Sequence, residues 1–110
     1  MKPKEAIGAM KVNHEYKFVA TLVPPMLALA DIEKGLLHAQ IGYGLGLVEG
    51  NGSKRSPFKP KDPTNFRAGR LIIDEKEAVH FSNLATQFPE YQMNDVELQS
   101  LFNVADISFL

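Results

Sequence analysis

The sequence predicts a small α+β domain built on a mainly antiparallel sheet of about four or five strands. Two observations carry this prediction. Apolar and polar side chains alternate with a period of two in several segments, and helix-start signals occur near both ends of the chain. The 110 residues are 45% apolar and 23% charged, as in an ordinary globular protein. We therefore expect a single domain over residues 1–110.

The chain begins with a predicted helix over residues 3–11 and a predicted strand over residues 15–23. Pro3 suits the first turn of a helix, because the N–H that proline lacks has no partner there in any case. A mostly apolar run begins at Tyr16 and is predicted to be a largely buried strand. Pro24 ends this strand, since proline cannot donate a hydrogen bond to a strand ladder.

Pro25 and Gly35 predict a second helix over residues 25–34, because proline favours a first helical turn and glycine a left-handed C-cap. In residues 36–48, apolar residues then alternate with small or polar ones. A helical alternative would place three glycines within five helical positions, at about 1 kcal/mol each relative to alanine. We therefore predict a long strand. A possible ligand-binding face of this strand consists of His38, Gln40, Gly42, Gly44 and Gly46.

The last third of the chain predicts a β-hairpin, a helix and a closing strand. Residues 67–74 and 77–82 are two apolar segments joined by a charged turn. Residues 94–105 open with the spacing of a capping box and continue with apolar residues available for burial, so we predict a third helix there. Residues 106–110 are predicted to form the last strand of the sheet.

A long, proline-rich loop is predicted over residues 49–66, and the charge of the chain is concentrated around it. Residues 50–70 contain six basic side chains and one acidic side chain, a net charge of +5, whereas residues 74–110 contain one basic and seven acidic side chains, a net charge of −6. Cations interleaved with aromatic rings are typical of polyanion-binding and partner-binding surfaces. The candidate binding residues are Lys54, Arg55, Phe58, Lys59, Lys61, Phe66, Arg67 and Arg70.

Several functional classes lack support in this sequence. The chain has no cysteine, which excludes disulfides, thiolate catalysis and cysteine-based metal sites. Its three histidines form no metal-binding pair, and the glycines near residue 50 lack the spacing of a phosphate-binding loop. We therefore predict no catalytic residue, no metal site and no cofactor. Without a signal-peptide pattern or a membrane-spanning segment, we expect a cytoplasmic protein.

These observations favour a non-enzymatic protein-interaction or assembly protein. We expect it to form a homo-oligomer or to bind another protein, with residues 54–67 as the contacting arm. One alternative is weak binding of nucleic acid or another polyanion through the same basic, aromatic loop. A second alternative is a small-ligand-binding protein or an enzyme, with a pocket near His38, Gln40 and the three glycines that follow.

Overall fold

The computed structural model of the chain describes residues 1–83 and 86–110 and confirms an α+β fold with a mainly antiparallel sheet. Short 3₁₀ turns cover Ile32–Lys34, Pro63–Asn65 and Pro89–Tyr91. The helices and strands, in chain order, are α1 (Pro3–Ala9), β1 (Tyr16–Thr21), β2 (Met26–Asp31), α2 (His38–Gly44), β3 (Val48–Glu49), β4 (Lys59–Pro60), β5 (Phe66–Ile73), β6 (Val79–Asn83), α3 (Asp95–Val104) and β7 (Asp106–Phe109).

Five of the strands form one sheet in the order β6-β5-β1-β2-β7. Neighbouring strands are antiparallel, except that β7 runs parallel to β2. The two short strands β3 and β4 pair separately as a small hairpin. The predicted elements 3–11, 15–23, 67–74, 77–82, 94–105 and 106–110 correspond to α1, β1, β5, β6, α3 and β7.

Apolar side chains are buried on both faces of the five-stranded sheet. On one face, α1 and α3 cover a cluster that includes Phe18, Leu27, Leu29, Leu71 and Phe102. On the other face, α2 and the β3–β4 hairpin cover a cluster that includes Val19, Ala28, Ala39, Val48 and Phe66. The sheet is therefore the middle layer of the fold, and the predicted basic loop belongs to the second covering layer.

The predicted helix over residues 25–34 is wrong, because this segment forms strand β2 followed by a 3₁₀ turn. The strand lies inside the sheet between β1 and β7, so that Leu27 and Leu29 are buried on one face and Ala28 and Ala30 on the other. A strand buried on both faces is apolar throughout, and such a run resembles a short buried helix in sequence. Gly35 nevertheless adopts the expected left-handed conformation, with φ +67°.

The predicted strand over residues 36–48 is also wrong, because its middle part forms helix α2. The helix begins where the Leu37 N–H donates a 2.7 Å hydrogen bond to Gln40 Oε1, one half of a capping box. Gly42 then allows Val48 to pack directly against the helix, where a Cβ atom would collide with the valine side chain. Close tertiary packing at Gly42 thus offsets the low helix propensity of the glycines.

Candidate interaction surface

The predicted loop is folded back on the body of the protein as the β3–β4 hairpin. At its tip, the Asn51 and Gly52 N–H groups donate to the Ser56 carbonyl oxygen at 2.9 and 3.0 Å. At its base, the Lys61 N–H donates to the Leu47 carbonyl oxygen at 2.9 Å. Gly50 has φ +103°, and a Cβ atom there would collide with the backbone of residue 57, so the turn requires glycine. The segment is therefore a folded hairpin beside α2 and not an extended arm.

The structure divides the eight candidate residues of the basic loop into two groups. Lys54, Arg55, Lys59 and Lys61 are exposed on the hairpin, and Phe58 is half-buried against the α2 side of the core. Phe66, Arg67 and Arg70 lie instead in strand β5 of the central sheet. The first five residues thus lie on the hairpin, and the last three are part of the body of the domain.

The three residues in β5 all have partners within the chain. Phe66 is 2% exposed, and its ring makes edge contacts with the rings of Phe88 and Tyr91. Arg67 Nε lies 3.8 Å from Glu97 Oε1, and Arg70 Nη1 lies 3.5 Å from Glu15 Oε2. These contacts indicate a structural role for the three side chains.

The predicted ligand face of His38, Gln40, Gly42, Gly44 and Gly46 does not form, because the period of two that would align these residues belongs to a strand and not to a helix. In α2, His38 and Gly42 point into the protein, whereas Gln40 and Gly44 are exposed. His38 Nε2 lies 2.8 Å from the Gly69 carbonyl oxygen, to which it donates a hydrogen bond. Burial lowers the pKa of the imidazole, so this histidine is a neutral core residue.

Tyr43 on α2 stands between two open cavities. The first, of about 500 Å³, lies between Tyr43 and the base of the hairpin and includes Lys61 in its wall. The second, of about 400 Å³, lies between α2 and Phe58. Tyr43 is 62% exposed and belongs to the walls of both cavities. We define the hairpin face as the surface formed by Gln40, Tyr43, Gly44, Asn51, Phe58 and Lys61.

The cations beside the hairpin face are mostly unpaired. Lys59 Nζ lies 3.7 Å from Glu49 Oε1, an exposed ion pair of little energetic value. Within residues 1–83 and 86–110, Lys54, Arg55 and Lys61 form no ion pair. Their charge is therefore available to a partner.

Tyr43 and the two leucines at the ends of α2 are not among the predicted site residues. When residues 36–48 are interpreted as a strand, Tyr43 belongs to the apolar face that should be buried. In the helix it is exposed, and Leu37 and Leu45 at the two ends of α2 are 46% and 36% exposed. The sequence offers only a weak signal for this helix, Gln40 at the third helical position, because leucine at the N-cap has no side-chain oxygen to accept a hydrogen bond.

The other two histidines are each bound to carboxylates. His14 Nε2 lies 2.8 Å from Asp31 Oδ1, and His80 lies between Asp74 and Asp95. In the part of the chain that the structure describes, no group of three or more histidine, cysteine or acidic side chains could hold a metal ion.

Comparison with known proteins gives no further guide to function. No protein-family model matches the chain, and no curated protein or solved structure shows a significant match. Among the helices of residues 1–83 and 86–110, none is both long enough and apolar enough to cross a membrane.

Proposed function

We propose that this chain is a non-enzymatic protein-interaction module that binds its partner through the hairpin face. The observation that carries the proposal is the exposure of Tyr43 between two cavities, beside a folded basic hairpin. An exposed aromatic ring next to a cavity, with cations around it, is typical of the anchor residues of protein interfaces.

The apolar residues around α2 favour a protein partner over a nucleic acid. Leu37 and Leu45 flank Tyr43 in sequence and are substantially exposed. A third cavity of about 270 Å³ lies on the other side of Gln40 and is lined mainly by apolar residues, including Leu36 and Leu110. Phosphate and bases offer little to aliphatic side chains, whereas a protein surface can bury them.

The charge of the hairpin indicates that the partner surface is acidic. Lys54, Arg55 and Lys61 are exposed on the hairpin and form no ion pair in the described residues, and Lys61 also lines the 500 Å³ cavity. Complementary charges accelerate association and fix orientation more than they add affinity. We therefore expect an acidic partner with an apolar centre.

A second copy of this chain is the first partner that we propose. Residues 74–110 carry a net charge of −6, which is opposite in sign to the charge of the hairpin. Glu75, Glu77 and Glu90 from this part of the chain are exposed. One copy can therefore offer acidic side chains to the hairpin face of another.

Light scattering coupled to size-exclusion chromatography tests this proposal. We expect the native chain to be multimeric and the double variant K54E/K61E to shift towards monomer, because it places acidic groups opposite the acidic surface of the other copy. The matched control is K2E/K4E, which reverses two exposed lysines near α1, and it should remain multimeric. Deleting the hairpin is a poorer test, since Phe58 packs against the core and Pro60 is buried.

Weak binding of single-stranded nucleic acid is a second candidate, favoured by one observation. Tyr43 shares its cavities with the amides of Gln40 and Asn51 and with Lys61, groups that can stack on a base, bond to its edge and neutralise phosphate. Fluorescence anisotropy with single-stranded and duplex oligonucleotides, at low and moderate salt, separates the candidates. A monomeric native chain that binds oligonucleotides, and loses binding in K54E/K61E, would replace the protein-interaction proposal.

A further inference from the structure

We propose that Asp74, His80 and Asp95 form a proton-dependent latch that holds the start of α3 against the β6 edge of the sheet. We call these three residues the edge latch. It lies at the outer edge of the sheet beside β6, none of its residues belongs to the hairpin face, and the proposal does not depend on the function proposed above.

The geometry of the edge latch places one imidazole between two carboxylates. His80 Nδ1 lies 2.9 Å from Asp95 Oδ2, and His80 Nε2 lies 2.7 Å from Asp74 Oδ2. Asp74 belongs to the turn between β5 and β6, His80 to β6 and Asp95 to the first turn of α3. The histidine therefore links the turn, strand β6 and helix α3 through its two ring nitrogens.

The same helix also covers the outer edge of β6. The Phe81 N–H donates to Asp95 Oδ1 and the Val79 N–H donates to Gln99 Oε1, both at 2.8 Å. Without these acceptors, the two backbone donors would be unpaired at the edge of the sheet, where another strand can attach. Asp95 thus has two roles: one carboxylate oxygen binds His80, and the other accepts a hydrogen bond from the outer edge of β6.

Both contacts to His80 require the protonated ring. An imidazolium donates from both nitrogens, whereas a neutral imidazole has only one N–H and must lose one of the two hydrogen bonds. The charged groups that face the ring are Asp74 from the turn and Asp95 from α3, while its neighbour across the strand pair is Ile72. Asp95 and Asp74 raise the pKa of His80, and His80 in turn lowers the pKa of each carboxyl group.

The sign of the pH dependence follows from these shifts. Because the pKa of His80 is higher in the folded chain than the ordinary value of 6.5, its contribution to stability is complete below that value and is lost as the pH rises through the folded pKa. The two aspartates act in the opposite direction: their contribution is lost as the pH falls below their ordinary pKa of 3.8. The edge latch is therefore closed in mild acid and loosens as the pH rises through the folded pKa of His80.

Amide hydrogen exchange measured by NMR tests the edge latch directly. The readout is the protection factor of the Val79 and Phe81 amides, which corrects for the intrinsic pH dependence of exchange. Between about pH 5.5 and about pH 9, we expect these factors to fall by about two- to fivefold in the native chain, the range expected for an exposed ion pair. In His80→Gln they should be low already in mild acid and should not change with pH.

His14→Gln is the matched control, since it removes a second surface histidine that binds one carboxylate, Asp31, away from β6. It should keep the native pH response at Val79 and Phe81. If the native chain, His80→Gln and His14→Gln all show the same protection at every pH, the proposal is overturned.

An NMR titration of His80 in the native chain gives an independent test that requires no variant. We expect His80 to titrate above 6.5, and Asp95→Asn to lower its pKa while the new amide oxygen still accepts from Phe81. A His80 that titrates at or below the ordinary value would also overturn the proposal.

Discussion

The hairpin face and the edge latch both concentrate charged side chains, but they use them in opposite ways. In the edge latch, both nitrogens of His80 are bound to carboxylates of the same chain. Beside the hairpin face, Lys54, Arg55 and Lys61 form no ion pair with the described residues. Charges that are paired internally contribute to the fold, whereas exposed charges without an internal ion pair are free to meet a partner. A similar distinction separates the buried ring of Phe66 from the exposed ring of Tyr43.

The largest expected effect is the loss of folding stability when a core aromatic residue, rather than a surface one, is replaced by alanine. Phe66→Ala should lower the free energy of unfolding by about 3–5 kcal/mol, because the ring is buried against two other aromatic rings. Tyr43→Ala should change it by less than about 0.5 kcal/mol, since that ring is mostly exposed. Urea unfolding followed by circular dichroism measures both values. Equal losses of stability in the two variants would contradict the assignment of Phe66 to the core and Tyr43 to the surface.

The next largest expected effect is on the affinity of self-association, and this prediction depends on the proposed function. Tyr43→Ala should weaken self-association by about tenfold or more, as expected for an aromatic anchor at the centre of an interface. Sedimentation equilibrium measures the dissociation constant. The matched control is Val96→Ala on α3, which truncates a side chain that is 77% exposed outside the hairpin face. If the two variants associate equally well, Tyr43 is not an anchor.

Two glycines of α2 provide a sharper test of the packing beneath the hairpin face. Gly42→Ala should destabilise the fold by about 1–3 kcal/mol, because the added methyl group collides with Val48. Gly44→Ala has open space around it and should stabilise the helix by up to about 1 kcal/mol. The midpoint temperatures of thermal unfolding of the two variants, each compared with the native chain, measure these changes in stability. Stabilisation by both substitutions would show that Val48 does not pack closely on α2.

The smallest expected effect is the pH dependence of global stability that His80 contributes. The midpoint of urea unfolding should fall modestly as the pH rises from about 6 to about 9, because the folded chain then loses the proton that joins two carboxylates. The effect is limited because the histidine is accessible to solvent. His80→Gln should flatten this part of the profile. An unchanged slope in His80→Gln would assign the pH dependence to other groups.

The elements that the sequence predicts correctly have local signals that agree with their tertiary environment. The capping spacing at Asn94 is realised, since its side chain accepts a 2.8 Å hydrogen bond from the Glu97 N–H at the start of α3. Strands β5 and β6 are joined by a charged turn and pair as the predicted hairpin. The grouping of Lys54, Arg55, Phe58, Lys59 and Lys61 on one loop is also predictable, because these residues are close in sequence.

The composition and local patterns of this sequence determined the α+β class, the strands β1, β5, β6 and β7, the outer helices α1 and α3, and the position of the basic loop. Only the tertiary structure decided that residues 26–31 form an inner strand and residues 38–44 a helix. The physical reason is that both choices depend on burial: β2 is covered on two faces, and Gly42 is close to Val48. The exposure of Tyr43 also depends on the tertiary structure, because it follows from residues 38–44 being a helix. The same is true of the contacts among Asp74, His80 and Asp95, since these residues are not neighbours in the sequence.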